Sequence, residues 1–356
     1  MPLVAYKDLP TFQRLRQEGR TVLPPERASH QDIRELHIGL LNMMPDNALQ
    51  ATERQFFRLV GESNQIAQFY MHPFTLPELS RGAEAKTYIS KHYETFDQIR
   101  EQGLDALIVS GANVSRPDLD QEPFWEPLQN VMNWAWENVT STICSCLATH
   151  AVMQFRYGQK RTPRKEGKLW GVYEHRVVDR AHPLAQHTNT LFFAPHSRFN
   201  DISEAQFNAA GMKILVKSEK AGVHMAVSPD GFRLVCFQGH PEYDTISLLK
   251  EYKREVTRFM NGERGDYPPV PENFFNESAL EILKNCEKQI RGGSKTPDFP
   301  EEKIIETLDN TWRDSARSTI ANWAGHVYQT THMDRKKPFM DGIDPDDPLG
   351  IRKNKV

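Results

Sequence analysis

The sequence predicts an α/β protein built on a doubly wound, mostly parallel sheet, and two observations carry that expectation. Apolar runs alternate with helical patterns through the first half of the chain, the rhythm of successive strand–helix units. The first of these runs, LHIGLLNMM at 36–44, is apolar almost throughout, as in a strand buried on both faces.

Residues 1–35 are polar and broken by prolines, and read as an N-terminal arm. The α/β domain is expected over 36–265. After the strand at 36–44 and Pro45, ATERQFFRLVG gives a helix ending at Gly61. Strands are expected at 65–71, 106–110 and 139–145, with a helix over 124–137. Runs at 171–178, 212–217, 223–227 and 232–238 lie closer together and predict antiparallel strands. In HMAVSPDGFRLVCF, Pro229-Asp230-Gly231 supplies the turn of a hairpin. Asp244 or Thr245 can cap a helix that places Ile246, Leu249, Val256 and Phe259 on one face, with Gly262 near its end. The Pro-rich, charged segment 266–335 holds two amphipathic pieces, 277–290 and 301–326, and reads as a helical extension. Residues 336–356 read as a flexible tail.

Composition narrows the function. With 38% hydrophobic and 26% charged residues, the 356-residue chain is an ordinary globular one. A net charge of −3 offers no basic field for nucleic acid. No apolar run approaches the roughly 20 residues of a membrane span, and the opening residues lack the apolar core of a signal peptide. Four cysteines in so long a chain make no disulfide framework. The expected setting is the cytoplasm.

Two stretches carry chemistry. In VTSTICSCLATHAVMQF a β-branched strand runs into a helical pattern, with Cys144 and Cys146 at the junction. A side chain there stands above the strand's carboxyl edge, where the helix start offers N–H groups and a positive dipole end. That setting lowers a thiol's pKa and stabilises an oxyanion. Strand counting alone leaves both cysteines open as the nucleophile. Cys-x-Cys without further ligands makes a poor zinc site, so no metal is expected. The second stretch, FQGHPEY at 237–243, ends an apolar strand in a loop before a helix. If extended, it turns His240 and Glu242 to one side, giving a base oriented by an acid.

Both stretches resemble the class I glutamine-amidotransferase-like fold, and more narrowly the homoserine O-succinyltransferase/acetyltransferase family of methionine biosynthesis. The landmarks, in order, are RASHQDI, LLNMMP, ATERQFFRLV, LDALIVSGA, LWGVYEH, FFAPHSRFND, GHPEYD and NTW…NW…VYQ. The resemblance implies a nucleophile eleven residues before the pair Tyr157-Gly158, which is Cys146, and leaves Cys144 to the core. It implies His240 as general base, Glu242 as its orienting acid, and homoserine binding by Lys168, Ser197 and Arg254. The backbone N–H of Leu147 is expected in the oxyanion hole.

Two departures stand out. The family's Pro-Lys-Lys is Pro45-Asp46-Asn47 here, which removes any phosphate contact those lysines make. At the position that selects the acyl group, Gly accompanies succinyl and Glu accompanies acetyl transfer, whereas this chain has Ser115. Ser is small and uncharged, so it leaves room for a succinyl carboxylate that a Glu would repel. Arg116 beside it would add attraction if it faced inward. The expected activity is therefore succinyl transfer from succinyl-CoA to homoserine through a Cys acyl-enzyme, with acetyl transfer as the alternative. No bound cofactor is expected, and a homodimer is. A glutamine amidotransferase is the further rival, but its flanking glycines are replaced by Ser145 and Leu147. A non-catalytic relative is the last, and the intact Cys–His–Glu set speaks against it.

Overall fold

The computed structural model describes residues 3–31, 33–292 and 299–352. The elements run β1 (Leu3–Val4), α1 (Pro10–Gln17), β2 (Val22–Leu23), α2 (Pro25–Ser29), β3 (Glu35–Leu41), α3 (Asp46–Ser63), β4 (Gln68–Phe74), α4 (Ala83–His92) and α5 (Phe96–Gln102). Then come β5 (Ala106–Val109), α6 (Trp125–Asn138), β6 (Ser141–Ser145), α7 (Leu147–Tyr157), β7 (Thr162–Pro163), β8 (Leu169–Val177), β9 (Leu191–Arg198), β10 (Asn200–Asp201) and α8 (Glu204–Ala209). The chain closes with β11 (Lys213–Ser218), β12 (Gly222–Val227), β13 (Leu234–Phe237), α9 (Ser247–Met260), α10 (Glu277–Arg291), α11 (Glu301–Ile305) and α12 (Arg313–Thr330).

Eleven strands form one sheet in the order β2-β1-β4-β3-β5-β6-β13-β12-β11-β8-β9. Pairing is parallel from β2 to β13 and antiparallel from there to β9. The expected α/β class and its antiparallel second half are both present, and the hairpin pairs Met225 with Phe237.

The sheet is covered on both faces. Leu36, Ile38 and Leu40 of β3 join one core with Phe56 and Phe57 of α3 and Trp323 of α12. Leu41, Leu107 and Val109 join the other with Leu128 and Val131 of α6 and Ala148 and Ala151 of α7. Burial on both faces is what the unbroken apolar run of β3 required. A third cluster packs Trp170 and Val172 of β8 against α9 and α10.

Four local expectations need correction. The described part of the expected N-terminal arm is built into the sheet, because β1 pairs with both β2 and β4. The piece at 301–326 is two helices, α11 and α12, separated where Asn310 Oδ1 accepts the N–H groups of Trp312 and Arg313. Asp244 does not cap α9 with its side chain, which instead pairs with Arg58 and Arg54. The described part of the tail is packed: Phe339 is buried, Met340 N–H donates to Thr330 O at 3.0 Å, and Thr140 Oγ1 donates to Pro338 O. Among the described residues no helix is long and apolar enough to cross a membrane.

Candidate active site

Strand β6 ends at Ser145, α7 begins at Leu147, and Cys146 is the one residue between them. So sharp a reversal puts Cys146 at φ 51°, ψ −104°, a backbone conformation that L-residues avoid. The strain is held by pairing on the neighbouring strand, since Cys146 N–H donates to Phe237 O of β13 at 2.7 Å. Leu147, first in α7, has an N–H with no preceding turn to bond to, and it faces no competing cap. Gly111, after β5, runs alongside: a Cβ there would lie 3.8 Å from Cys146 Cβ. The two cysteines differ sharply. Cys146 is partly exposed, whereas Cys144 is fully buried opposite Cys236, and the contact with Cys236 together with burial pushes its thiol pKa well up.

His240 and Glu242 follow β13, but through a turn and not an extended segment, with Tyr243 N–H donating to His240 O at 3.3 Å. The turn delivers the same pairing: His240 Nδ1 lies 2.8 Å from Glu242 Oε1. His240 is 6% exposed, and its Nε2 has no hydrogen-bond partner among the described residues. Burial alone would lower the imidazole's pKa, but Glu242 and then Cys146 outweigh it and raise the value to about 10.

Behind His240 lies a buried wall of His175, His196 and His224, whose ring nitrogens stand within 4.8 Å of one another. The sequence reading did not single out this cluster. His175 Nδ1 donates to Tyr173 O at 2.8 Å, His196 Nε2 meets His175 Nε2 at 3.0 Å, and Arg198 donates to His196 Nδ1. Those bonds engage His175 and His196, and the Arg198 charge opposes a cation beside them. Burial drives all three imidazoles down, His175 to about 4. The wall also explains Gly239, where a Cβ would meet His224 Nδ1 at 2.6 Å and His196 Cε1 at 2.7 Å.

Lys168, just before β8, and Ser197 of β9 are brought together by a residue the sequence reading missed. Glu251 of α9 accepts from Lys168 Nζ at 3.0 Å and Ser197 Oγ at 2.7 Å through Oε2, and from Tyr243 OH at 2.7 Å through Oε1. Burial would raise this carboxyl's pKa, yet Lys168, Ser197 and Tyr243 more than offset it and hold the pKa below its ordinary value. Arg254, one turn further along α9, is not drawn into this network. It is exposed among Lys250, Lys253, Thr257 and Arg258, with Nε 3.6 Å from Glu255 Oε1. Ser115 is tied to Glu122 instead of standing free: its Oγ donates to Glu122 Oε2 at 3.1 Å, and the N–H groups of Ser115 and Arg116 both donate to Oε1. Arg116 itself points to solvent.

A strained thiol at a helix start, with a paired histidine and carboxylate beside it, can attack an activated carbonyl and pass the acyl group on. A homoserine O-succinyltransferase from Allochromatium vinosum is 64% identical over 355 residues, covering 99% of each chain. One from Nitrosococcus oceani is 62% identical, again over 99% of each. Among solved structures, a glutamine amidotransferase from Thermotoga maritima is similar at 13% identity and a TM-score of 0.43, over 77% of this chain and 99% of that one. The family model described as homoserine O-succinyltransferase matches residues 2–333, and the chain belongs to that family.

Proposed function

We propose that this protein transfers the succinyl group of succinyl-CoA to the hydroxyl of L-homoserine, with Cys146 carrying the group between them. The observation that carries the reading is Cys146 on its strained turn, electrostatically coupled to the His240–Glu242 pair. Cys146 Sγ, its proton passed to His240, attacks the thioester carbonyl, and N–H groups including that of Leu147 hold the oxyanion. The bond to CoA sulfur then breaks, and the departing thiolate takes the proton from His240. Acylation also removes the negative charge from Cys146, one of the influences holding that proton. Neutral His240 can next accept the homoserine hydroxyl proton while the oxygen attacks the acyl group and Cys146 leaves as thiolate. In this reading Lys168 and Ser197, both hydrogen-bonded to Glu251, bind homoserine.

This scheme consumes both substrates and needs no bound cofactor or metal. It goes with a homodimer working in the cytoplasm, for which size-exclusion chromatography is the check on assembly. Intact-mass measurement after separate exposure to succinyl-CoA and acetyl-CoA tests the central step. A stable succinyl adduct that homoserine discharges is expected. Adduct formation from acetyl-CoA in preference would favour the acetyl alternative.

A further inference from the structure

Arg116, which would have attracted a succinyl carboxylate had it faced inward, is exposed, but a different arginine stands over the same loop. Helix α7, which starts beside Cys146, ends at Gly158 in the left-handed conformation (φ 67°), and the chain doubles back. The end of α7 and the returning segment are laced to the loop carrying Ser115. Gln154 Nε2 and Lys160 Nζ each lie 3.3 Å from Asp120 Oδ2, and Arg161 Nη2 donates to Pro117 O at 3.1 Å. The loop itself leaves the sheet at Gly111, next to Cys146. Arg161 is half-buried, and among the described residues its guanidinium pairs with no carboxylate. Burial lowers its pKa, while Glu122, Asp118 and Cys146 act in the opposite sense, so all three lie within electrostatic reach.

Glu122 would be the natural partner for Arg161, but its oxygens are already occupied by the loop. Oε1 accepts from the N–H groups of Ser115 and Arg116, and Oε2 accepts from Ser115 Oγ. A guanidinium with donors left over, bonded to the loop that leaves the sheet beside Cys146 and near a satisfied carboxylate, suits an incoming carboxylate. Resting on the succinyl-transfer reading above, we infer that Arg161 binds the distal carboxylate of the acyl donor, and that the Ser115–Glu122 contact keeps Arg161 free to do so. Selectivity at position 115 then acts through Arg161: a carboxylate introduced there would compete for the guanidinium.

The test compares succinyl-CoA with butyryl-CoA, which has the same chain length and no carboxylate, as donors to Cys146 in the full-length enzyme. The readout is the ratio of acylation rates, so a folding defect or lost CoA contact cancels. Arg161→Gln should lower the succinyl-to-butyryl ratio roughly 10- to 100-fold, the range for losing a hydrogen bond to a charged group. Arg161→Lys keeps the charge without the planar fork and should give a smaller drop; it also serves if the Gln variant does not fold. With a parent enzyme that is acylated by succinyl-CoA, an unchanged ratio in these variants overturns the role of Arg161 alone. A parent that succinyl-CoA does not acylate overturns the succinyl reading, and this inference with it.

Discussion

The ring of Tyr243 lies 4.2 Å from that of His240 and only 17° from parallel to it. Its hydroxyl donates to Glu251, the carboxylate that also holds Lys168 and Ser197. The base and the proposed homoserine site thus share one support. Glu251→Gln keeps the size of that support but loses its charge, leaving the Lys168 ammonium without its counterion. We expect kcat/KM for homoserine to fall roughly 10- to 100-fold, while Cys146 acylation in the absence of homoserine changes far less. Equal losses in both half-reactions would mean that Glu251 serves the fold or the triad alone.

Glu251 shows why part of the site could not be read from the chain. In KEYKREVTR it looks like one more charge on a solvated helical face, and nothing local marks it as buried. Its partners come from β8 and β9, distant in sequence, and only the sheet brings them together. β9 was hidden for a related reason, since Pro195 interrupts its apolar run. The two-residue strands β1 and β2 are too short to show any period. Cys146, by contrast, was legible up to a choice of two cysteines, because a β-branched strand meeting a helix defines the junction. The His240–Glu242 pairing was legible as well, though a turn and not an extended segment produces it.

The raised pKa of His240 has two separable sources, Glu242 and Cys146. Glu242→Gln and Cys146→Ala should each lower the pKa from about 10. NMR titration of ring-labelled histidine reads this directly; a variant that leaves the value unchanged would remove that residue as a source. A pKa raised in the folded state above 6.5 contributes stability that is complete below pH 6.5. That contribution is lost as pH rises through the folded value. The His240 part of the parent's unfolding free energy should therefore decline as pH rises from 6.5 towards about 10, and Glu242→Gln should flatten the decline.

Cys146→Ser should cut transfer by at least roughly 10³-fold, the scale seen when a nucleophile is removed. Cys144→Ser should leave most activity, and its cost should appear as lower stability, because it puts a hydroxyl beside Cys236 in the core. Peptide mapping after a brief exposure to donor gives the second check. Label recovered on Cys144 would overturn the assignment of the nucleophile.

Ser115→Glu should move donor preference from succinyl-CoA towards acetyl-CoA. In the parent, Ser115 offers Glu122 one hydroxyl and one backbone N–H, and Arg116 a second N–H. A glutamate at 115 cannot donate from its side chain and would set a second carboxylate against Glu122. Repulsion would turn the new carboxylate away, leaving Arg161 as the nearby cation for it to meet. The incoming succinyl carboxylate would then lose its partner and gain a like charge, whereas acetyl would feel neither. Like charges brought together in a site of this kind cost several kcal/mol, and about 1.4 kcal/mol corresponds to a tenfold change in rate ratio. A drop of roughly 10-fold or more is therefore expected in the ratio of kcat/KM for succinyl-CoA over acetyl-CoA. Ser115→Gly keeps the backbone N–H on Glu122 and adds no charge, so it should stay close to the parent. Two results count against the mechanism: a parent that already prefers acetyl-CoA, or a glutamate variant whose ratio does not change.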